Sequence, residues 1–193
     1  MPRCGWVGTD PLMIKYHDEE WGVPVHDDRK LFEFLVLDAF QAGLSWRIIL
    51  NKRAGFDAAL AHFEPAVVAT LGPVDVERLM KDPSIVRNRR KIEATIAGAQ
   101  LVLSIQKEFG SLDAFIWQPS GGKITDNRLE AIEQVPSTSA DSDALSSRMR
   151  EYGFKFFGST VCYAFMQGAG LVNDHLVSCF RHRELSEGVS GSS

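Results

Sequence analysis

Little in this sequence alternates between apolar and polar residues, and no Asn-Gly or Asp-Gly dipeptide supplies a tight hairpin turn, so a sheet-based fold has almost nothing to build on. No apolar run approaches the ~20 residues that cross a bilayer. The N-terminal Met-Pro-Arg-Cys-Gly-Trp carries no charged-then-apolar signal pattern, so the cytoplasm is the expected compartment and no membrane partner is expected. Three cysteines, Cys4, Cys162 and Cys179, cannot all pair, which argues against a disulfide framework and for reduced thiols or metal ligation. There is no excess of positive charge either. A formal net charge of -4 argues mildly against a nucleic-acid binder, although a local patch such as Arg87-Asn-Arg-Arg-Lys91 can supply what the average lacks. No internal repeat and no long low-complexity linker divides the 193 residues.

What is present is a 45% hydrophobic content, ample for a core, arranged with helical period. The expected fold is all-α. Asp27 or Asp28 opens a helix to about Ala42, Ser45 another to about Arg53, and short helices follow over Phe56 to Phe63, from Pro65, and over Val74 to Met80. The longest pattern runs from about Val86 to Phe109, with Ile92, Ile96, Ala99 and Leu103 on one stripe and Gly110 ending it. Ser111 caps a short helix, the residues around 135–143 form a loop, and helices from about Ser142 to Tyr152, Ser159 to Gly168 and Val172 to His182 close the chain. A single domain over 1–185 is expected, with a middle helical lobe of about 24–130 and a second lobe made of 1–23 and 131–185. The Ser/Gly-rich segment 186–193 reads as a disordered tail.

One stretch concentrates the unusual features. Phe34 to Trp46 is almost wholly apolar yet carries Asp38, with apolar neighbours on every side of the helix. A buried carboxylate without partners is costly. Asp38 therefore either braces a neighbouring backbone or faces a pocket, and Gly43 then turns the chain so that Trp46 sits at a corner beside it.

The metal-ligating residue types form a second pattern. His175 and Cys179 are four apart, on one face if helical, and Cys4 with His17 in the aperiodic N-terminal arm completes two thiolates and two imidazoles, a tetrahedral set for Zn2+. Such a closed shell is structural and would tie the arm down. The other reading is four unrelated residues at opposite ends of the chain. Cys162 reads as a core residue, and His26, His62 and His182 as solvated.

The third pattern is Gly153-Phe-Lys-Phe-Phe-Gly158 between two helices. It is either a plain turn or a phosphate clamp, in which glycines let the backbone close in and the N-H groups from Gly158 onward face an anion, with Arg148, Arg150 and Lys155 nearby.

Together, Arg3-Cys-Gly-Trp6, Asp10-Pro-Leu12, Tyr16-His-Asp18, Glu20-Trp-Gly-Val-Pro24, Gln41-Ala-Gly-Leu-Ser-Trp46, Gly153-Phe-Lys-Phe156, Phe165-Met-Gln167 and Gly170-Leu-Val-Asn-Asp-His175 resemble the DNA-3-methyladenine glycosylase I family from Met1 to about Cys179. The resemblance implies a helix-hairpin-helix glycosylase fold with one structural Zn2+ on Cys4, His17, His175 and Cys179. It also implies a base-excision repair enzyme that flips 3-methyladenine out of double-stranded DNA and hydrolyses its N-glycosidic bond, releasing the free base. Asp38 would then be the catalytic, base-reading acid. Trp6, Tyr16 and Trp46 would hold the base, with Trp21 a further wall or simply core, and Leu44 would be the wedge, or a buried corner leucine. Lys155 and Gly158 would contact phosphates. The basic segment at Arg87 to Lys91 either touches DNA or solvates a helix start. The carboxylate that many helix-hairpin-helix glycosylases place beyond the hairpin reads here as Asn173, and Asp174 is expected to orient the zinc histidine. The family usually has Glu at position 38, Gly-Gln at 39 and 40, and a second tyrosine near 13, where this chain has Asp38, Ala39, Phe40 and Met13. A monomer is expected. Two rivals stand beside this reading: a zinc-stabilised lesion-binding protein without excision activity, and a zinc hydrolase.

Overall fold

The computed structural model describes residues 1–188, and its regular structure is almost entirely helical. Ten α-helices follow one another among the described residues: α1 (Pro11–Glu19), α2 (Asp28–Gln41), α3 (Trp46–Ala59), α4 (Pro65–Val68), α5 (Pro73–Lys81), α6 (Arg89–Phe109), α7 (Leu112–Trp117), α8 (Ala140–Glu151), α9 (Ser159–Gly168) and α10 (Phe180–Gly188). Two dipeptide strands, β1 (Thr125–Asp126) and β2 (Val172–Asn173), pair in parallel with Thr125 opposite Val172. Strands this short carry no periodicity of their own, so the sequence holds no sign of them.

Local chemistry sets most boundaries. Asp10, Asp27, Asn88, Ser111 and Ser139 each turn a side-chain oxygen onto a first-turn N-H of α1, α2, α6, α7 and α8. Asn88 and Ser139 correct two expected starts, Val86 and Ser142, because they are the residues whose side chains satisfy the orphan donors. The expected break near Arg53 does not occur. Helix α3 runs through Gly55, which sits against the backbone of Ser84 so closely that no Cβ would fit. The segment expected to be helical to Phe63 instead ends at Ala59, and Ala61, His62 and Phe63 follow with φ of 50 to 55°. The last helix also moves: residues 172–179 are strand and turn, and α10 starts only at Phe180. Ser186 lies inside α10, so the expected tail cannot begin there; its residues 189–193 lie outside those described.

Helix α2 is the centre of the packing. It lies against α3, α6, α7 and α9, and Leu31, Phe32, Phe34, Leu35, Val36, Leu37, Asp38 and Phe40 are all buried. A helix apolar all round has to be enclosed. Its first turn is anchored too, since the Asp28 carboxylate accepts from the N-H groups of Leu112 and Asp113 at the start of α7. The Arg53 guanidinium then binds Glu33 on α2 and Glu20 just beyond α1, so that one cation fastens three helices at the end where the arm meets α2. Lys30 joins the same two carboxylates. No helix among the described residues is long and apolar enough to cross a membrane.

Candidate active site and metal centre

Cys4, His17, His175 and Cys179 converge in the interior. All four are buried, and their ligand atoms lie within 4.8 Å of one another. The Cys179 Sγ is 3.4 Å from His17 Nε2 and 3.6 Å from His175 Nδ1, and Cys4 Sγ is 3.7 Å from the same His175 nitrogen. Two ligands of a tetrahedral ion at the usual Zn-S and Zn-N lengths stand about 3.5 Å apart, so this spacing and donor chemistry fit a metal ion such as zinc. The remaining ring nitrogens are held as ligand histidines require. His17 Nδ1 is 2.7 Å from the Asp18 carboxylate, which the Arg3 guanidinium clamps in turn, and His175 Nε2 is 2.9 Å from the Trp21 carbonyl. Burial pushes the Cys4 thiol up and the His175 imidazole down to about 4. Burial is the largest influence on both groups and disfavours their charged forms.

Two expectations about this cluster are corrected. His175 and Cys179 do not share a helix; a turn closed by Cys179 N-H to Leu176 carbonyl brings them together. Asp174 does not orient His175. Its carboxylate accepts from Asn127, Tyr163 and Gln167, bracing α9 against the chain after β1. Asn173 is equally engaged, accepting from the His175 N-H and donating to the His182 carbonyl. His182 is buried against Asp126 rather than solvated, whereas His26 and His62 are exposed as expected. Cys162 is a buried core thiol, pushed up to about 12 by burial.

One layer out from the cluster lies a cavity of about 250 Å³. It is smaller than the roughly 300–1,000 Å³ of ordinary ligand pockets and suits one flat heterocycle. The arm contributes Trp6 and Trp21, whose rings meet edge to face at 4.9 Å, and Trp21 packs at 4.6 Å on the His175 ring. Trp21 is thus both cavity wall and cluster cover. Helix α1 contributes Tyr16 and Met13, the corner contributes Trp46, and the Tyr16 and Trp46 rings stand 5.2 Å apart. Asp38 projects into this cavity from α2. It is 4% exposed, and its Oδ2 has no hydrogen-bond partner. The bracing alternative is therefore excluded for that oxygen. Burial alone pushes the Asp38 carboxyl well above the usual carboxylate range, and burial, with the nearby Asp38 charge, pushes the Tyr16 phenol up. The buried Trp46 Nε1 also lacks a partner. Unsatisfied buried polar atoms converging on a cavity point to a ligand that completes them.

Helix α2 ends at this cavity and the chain turns through Gly43 at φ 85°, leaving Leu44 exposed at the corner and Trp46 in the first turn of α3. Ser45 takes the N-cap position of α3, though its hydroxyl makes no capping bond. Between α8 and α9, Gly153 at φ 102° and Phe156 at φ 58° make the second turn, with Lys155 and Gly158 exposed and Phe157 tucked into the core. No atom lies within 4 Å of where a Gly158 Cβ would be, so the backbone there is open to an approaching partner.

A family model described as methyladenine glycosylase matches residues 6–182. The chain belongs to the methyladenine glycosylase family. It is 45% identical over 179 residues to DNA-3-methyladenine glycosylase 1 of Escherichia coli (strain K12), covering 93% of this chain and 96% of that one. It is 40% identical over 177 residues to DNA-3-methyladenine glycosylase of Haemophilus influenzae, covering 92% and 96%. Among solved structures, a variant of 3-methyladenine DNA glycosylase I in complex with 3-methyladenine superposes with a TM-score of 0.90 at 37% identity, covering 93% of this chain and 97% of that one.

Some cavity residues were not singled out from the sequence. Gln41 and Gln167 carry amides into the wall, and Ile132 and Val135 close it from the loop after β1. Gln41 and Gln167 lay in motifs quoted for the resemblance; Ile132 and Val135 sit in an aperiodic loop that carries no signal. Lys91 is the larger surprise. Instead of joining a DNA-facing patch it is buried, donating at 3.0 Å to the carbonyls of Phe40 and Ala42 at the end of α2. It neutralises the C-terminal dipole of the helix that presents Asp38.

Proposed function

We propose that this protein is a DNA-3-methyladenine glycosylase of base-excision repair. It acts in the cytoplasm as a monomer on double-stranded DNA containing alkylated adenine, entering between the middle helices (24–130) and the lobe of the chain ends (1–23 and 131–185). The observation that carries the reading is the partnerless Oδ2 of Asp38 inside an aromatic cavity sized for one base. Cys4, His17, His175 and Cys179 hold one structural Zn2+, whose work is to fix the arm that brings Trp6, Tyr16 and Trp21 to the cavity. Four protein donors fill a tetrahedral shell, so a hydrolytic metal is disfavoured.

A 3-methylated adenine in DNA is cationic, and its glycosidic bond is already weakened. Extruding such a poorly paired base costs less than extruding a normal one. Leu44 fills the gap it leaves, while Lys155 and the backbone at Gly158 hold phosphates. In the cavity the cation meets the faces of Trp46 and Tyr16, which attract positive charge, and restores the ionised state of Asp38 that burial alone suppresses. The Asp38 carboxylate, the catalytic group, then accepts from the adenine edge and stabilises positive charge as the sugar separates. Water bonds to the anomeric carbon and gives up a proton. The electron pair of the broken bond stays with the base, which leaves as neutral 3-methyladenine.

The test is release of free 3-methyladenine from methylated duplex DNA. Wild type is expected to release it, Asp38→Glu to retain activity, and Asp38→Asn to lose about ten- to a hundredfold in kcat/KM, the equivalent of about 1.4–2.7 kcal/mol in the barrier. If Asp38→Asn matches wild type, the acid does not read the base. Retained binding of methylated DNA without released base in the wild type would instead identify a lesion-binding protein.

A further inference from the structure

A second, more polar groove of about 590 Å³ opens beside the base cavity and shares three of its walls, Trp6, Met13 and Trp46. Beyond them it is lined by Thr9, Ser45 and Arg47. We propose that this groove is a phosphodiester site, in which Arg47 binds the backbone phosphate of the nucleotide whose base occupies the cavity. The inference rests on the glycosylase reading above.

Connectivity is the first argument. A base in the cavity is still joined to its sugar and phosphate, and these must lie at the mouth, which the shared walls make continuous with the groove. Charge is the second. The chain carries a net charge of -4, so attraction for DNA has to come from local cations free to meet it. Around the cavity most cations are committed elsewhere: Arg53 and Lys30 to Glu20 and Glu33, Arg3 to Asp18, and Lys91 to the end of α2. Arg47 is exposed, and among the described residues its side chain makes no hydrogen bond or ion pair. A guanidinium suits a phosphate because it offers paired donors in one plane. The groove also contains one carboxylate, Asp10, which would repel an anion. That carboxylate is turned onto the N-H groups of Leu12 and Met13 as the cap of α1, which disperses its charge. The Ser45 hydroxyl, lacking a capping bond, adds a donor beside Arg47.

The test measures binding to a duplex with a single tetrahydrofuran abasic site by fluorescence anisotropy across a salt series. Arg47→Gln should lower the slope of log affinity against log salt by about one, the loss of one phosphate contact. Arg47→Lys should restore most of it. Affinity for free 3-methyladenine should stay within twofold of wild type, since the base cavity is untouched. An unchanged salt slope in Arg47→Gln overturns the proposal. The readout does not depend on excision: a wild type that releases no base but loses a unit of slope on Arg47→Gln would sink the glycosylase reading and leave the phosphate site standing.

Discussion

The molecule buries two polar clusters on either side of the Trp6 and Trp21 rings, and they are completed in opposite ways. In the Cys4, His17, His175 and Cys179 cluster every donor faces another donor of the set, and the histidine nitrogens pointing outward are held by Asp18 and the Trp21 carbonyl. In the neighbouring cavity the Asp38 Oδ2 and the Trp46 Nε1 face no partner at all. The first arrangement is closed within the chain, and the second leaves polar atoms open. What teaches the difference is not burial, which both share, but whether the polar atoms are satisfied from within the chain.

The largest expected effect breaks the closed cluster. On the structural-metal reading, a chelator or Cys179→Ser is expected to lower the Tm by about 10 °C or more, since loss of a structural metal costs at least several kcal/mol and each kcal/mol moves a chain of this size by about 2–4 °C. Excision should fall with the folded fraction, because the arm that carries Trp6 and Tyr16 loses its anchor. A Cys179→Ser protein with wild-type Tm and no activity would place the metal in the chemistry and erase the contrast. Thermal denaturation with and without chelator decides it.

The open site yields the next effect, in the pH dependence of stability. The Asp38 carboxyl is pushed up in the folded state, so between its ordinary value near 4 and its folded value the folded chain holds a proton that the unfolded chain has lost. The sign follows: this group's contribution is fully present below about pH 4 and is lost as pH rises through that window, at no more than about 1.4 kcal/mol per pH unit. Asp38→Asn should remove that slope, measured by denaturant unfolding between about pH 4 and 7. Saturating free 3-methyladenine should flatten it in wild type, because hydrogen-bond donors on the adenine edge favour the ionised carboxylate. An identical slope in Asp38→Asn would mean that Asp38 is already ionised and has a partner without a ligand.

How much of this could be read from the sequence follows the same division. Helix α2, whose caps and apolar stripe are local, was legible nearly to the residue, and α6 was legible except at its start; the Cys/His set was legible too, because thiols and imidazoles are scarce enough to stand out. The His175 to Cys179 pairing was right for the wrong reason, since a turn and not a helix brings them together. Dipeptide strands and the left-handed residues Ala61 to Phe63 left no trace, as tertiary contacts set them. At the pocket, Asp38 was conspicuous as an acid in an apolar run, but whether it had a partner was a three-dimensional question. The residues misread outright, Lys91, Asp174 and His182, are charged or polar groups buried by partners distant in sequence. Periodicity places a face, but it does not say what faces it.

Lys91 gives the smallest effect and the sharpest use of the comparison, because it supports the open site without touching it. Its ammonium closes the α2 carbonyls of Phe40 and Ala42, two and four residues beyond Asp38 and immediately before the Gly43 corner. Lys91→Met should leave those carbonyls unpaired and cost about 1–3 kcal/mol, a Tm loss of about 2–12 °C. The fold should persist, since the rest of α2 is held by apolar packing and by Asp28. Free 3-methyladenine binding should stay nearly intact while excision from DNA falls several-fold, because the corner that carries Leu44 and Trp46 loses its brace. Equal losses of free-base binding and of excision would instead mean that Lys91 holds the cavity itself.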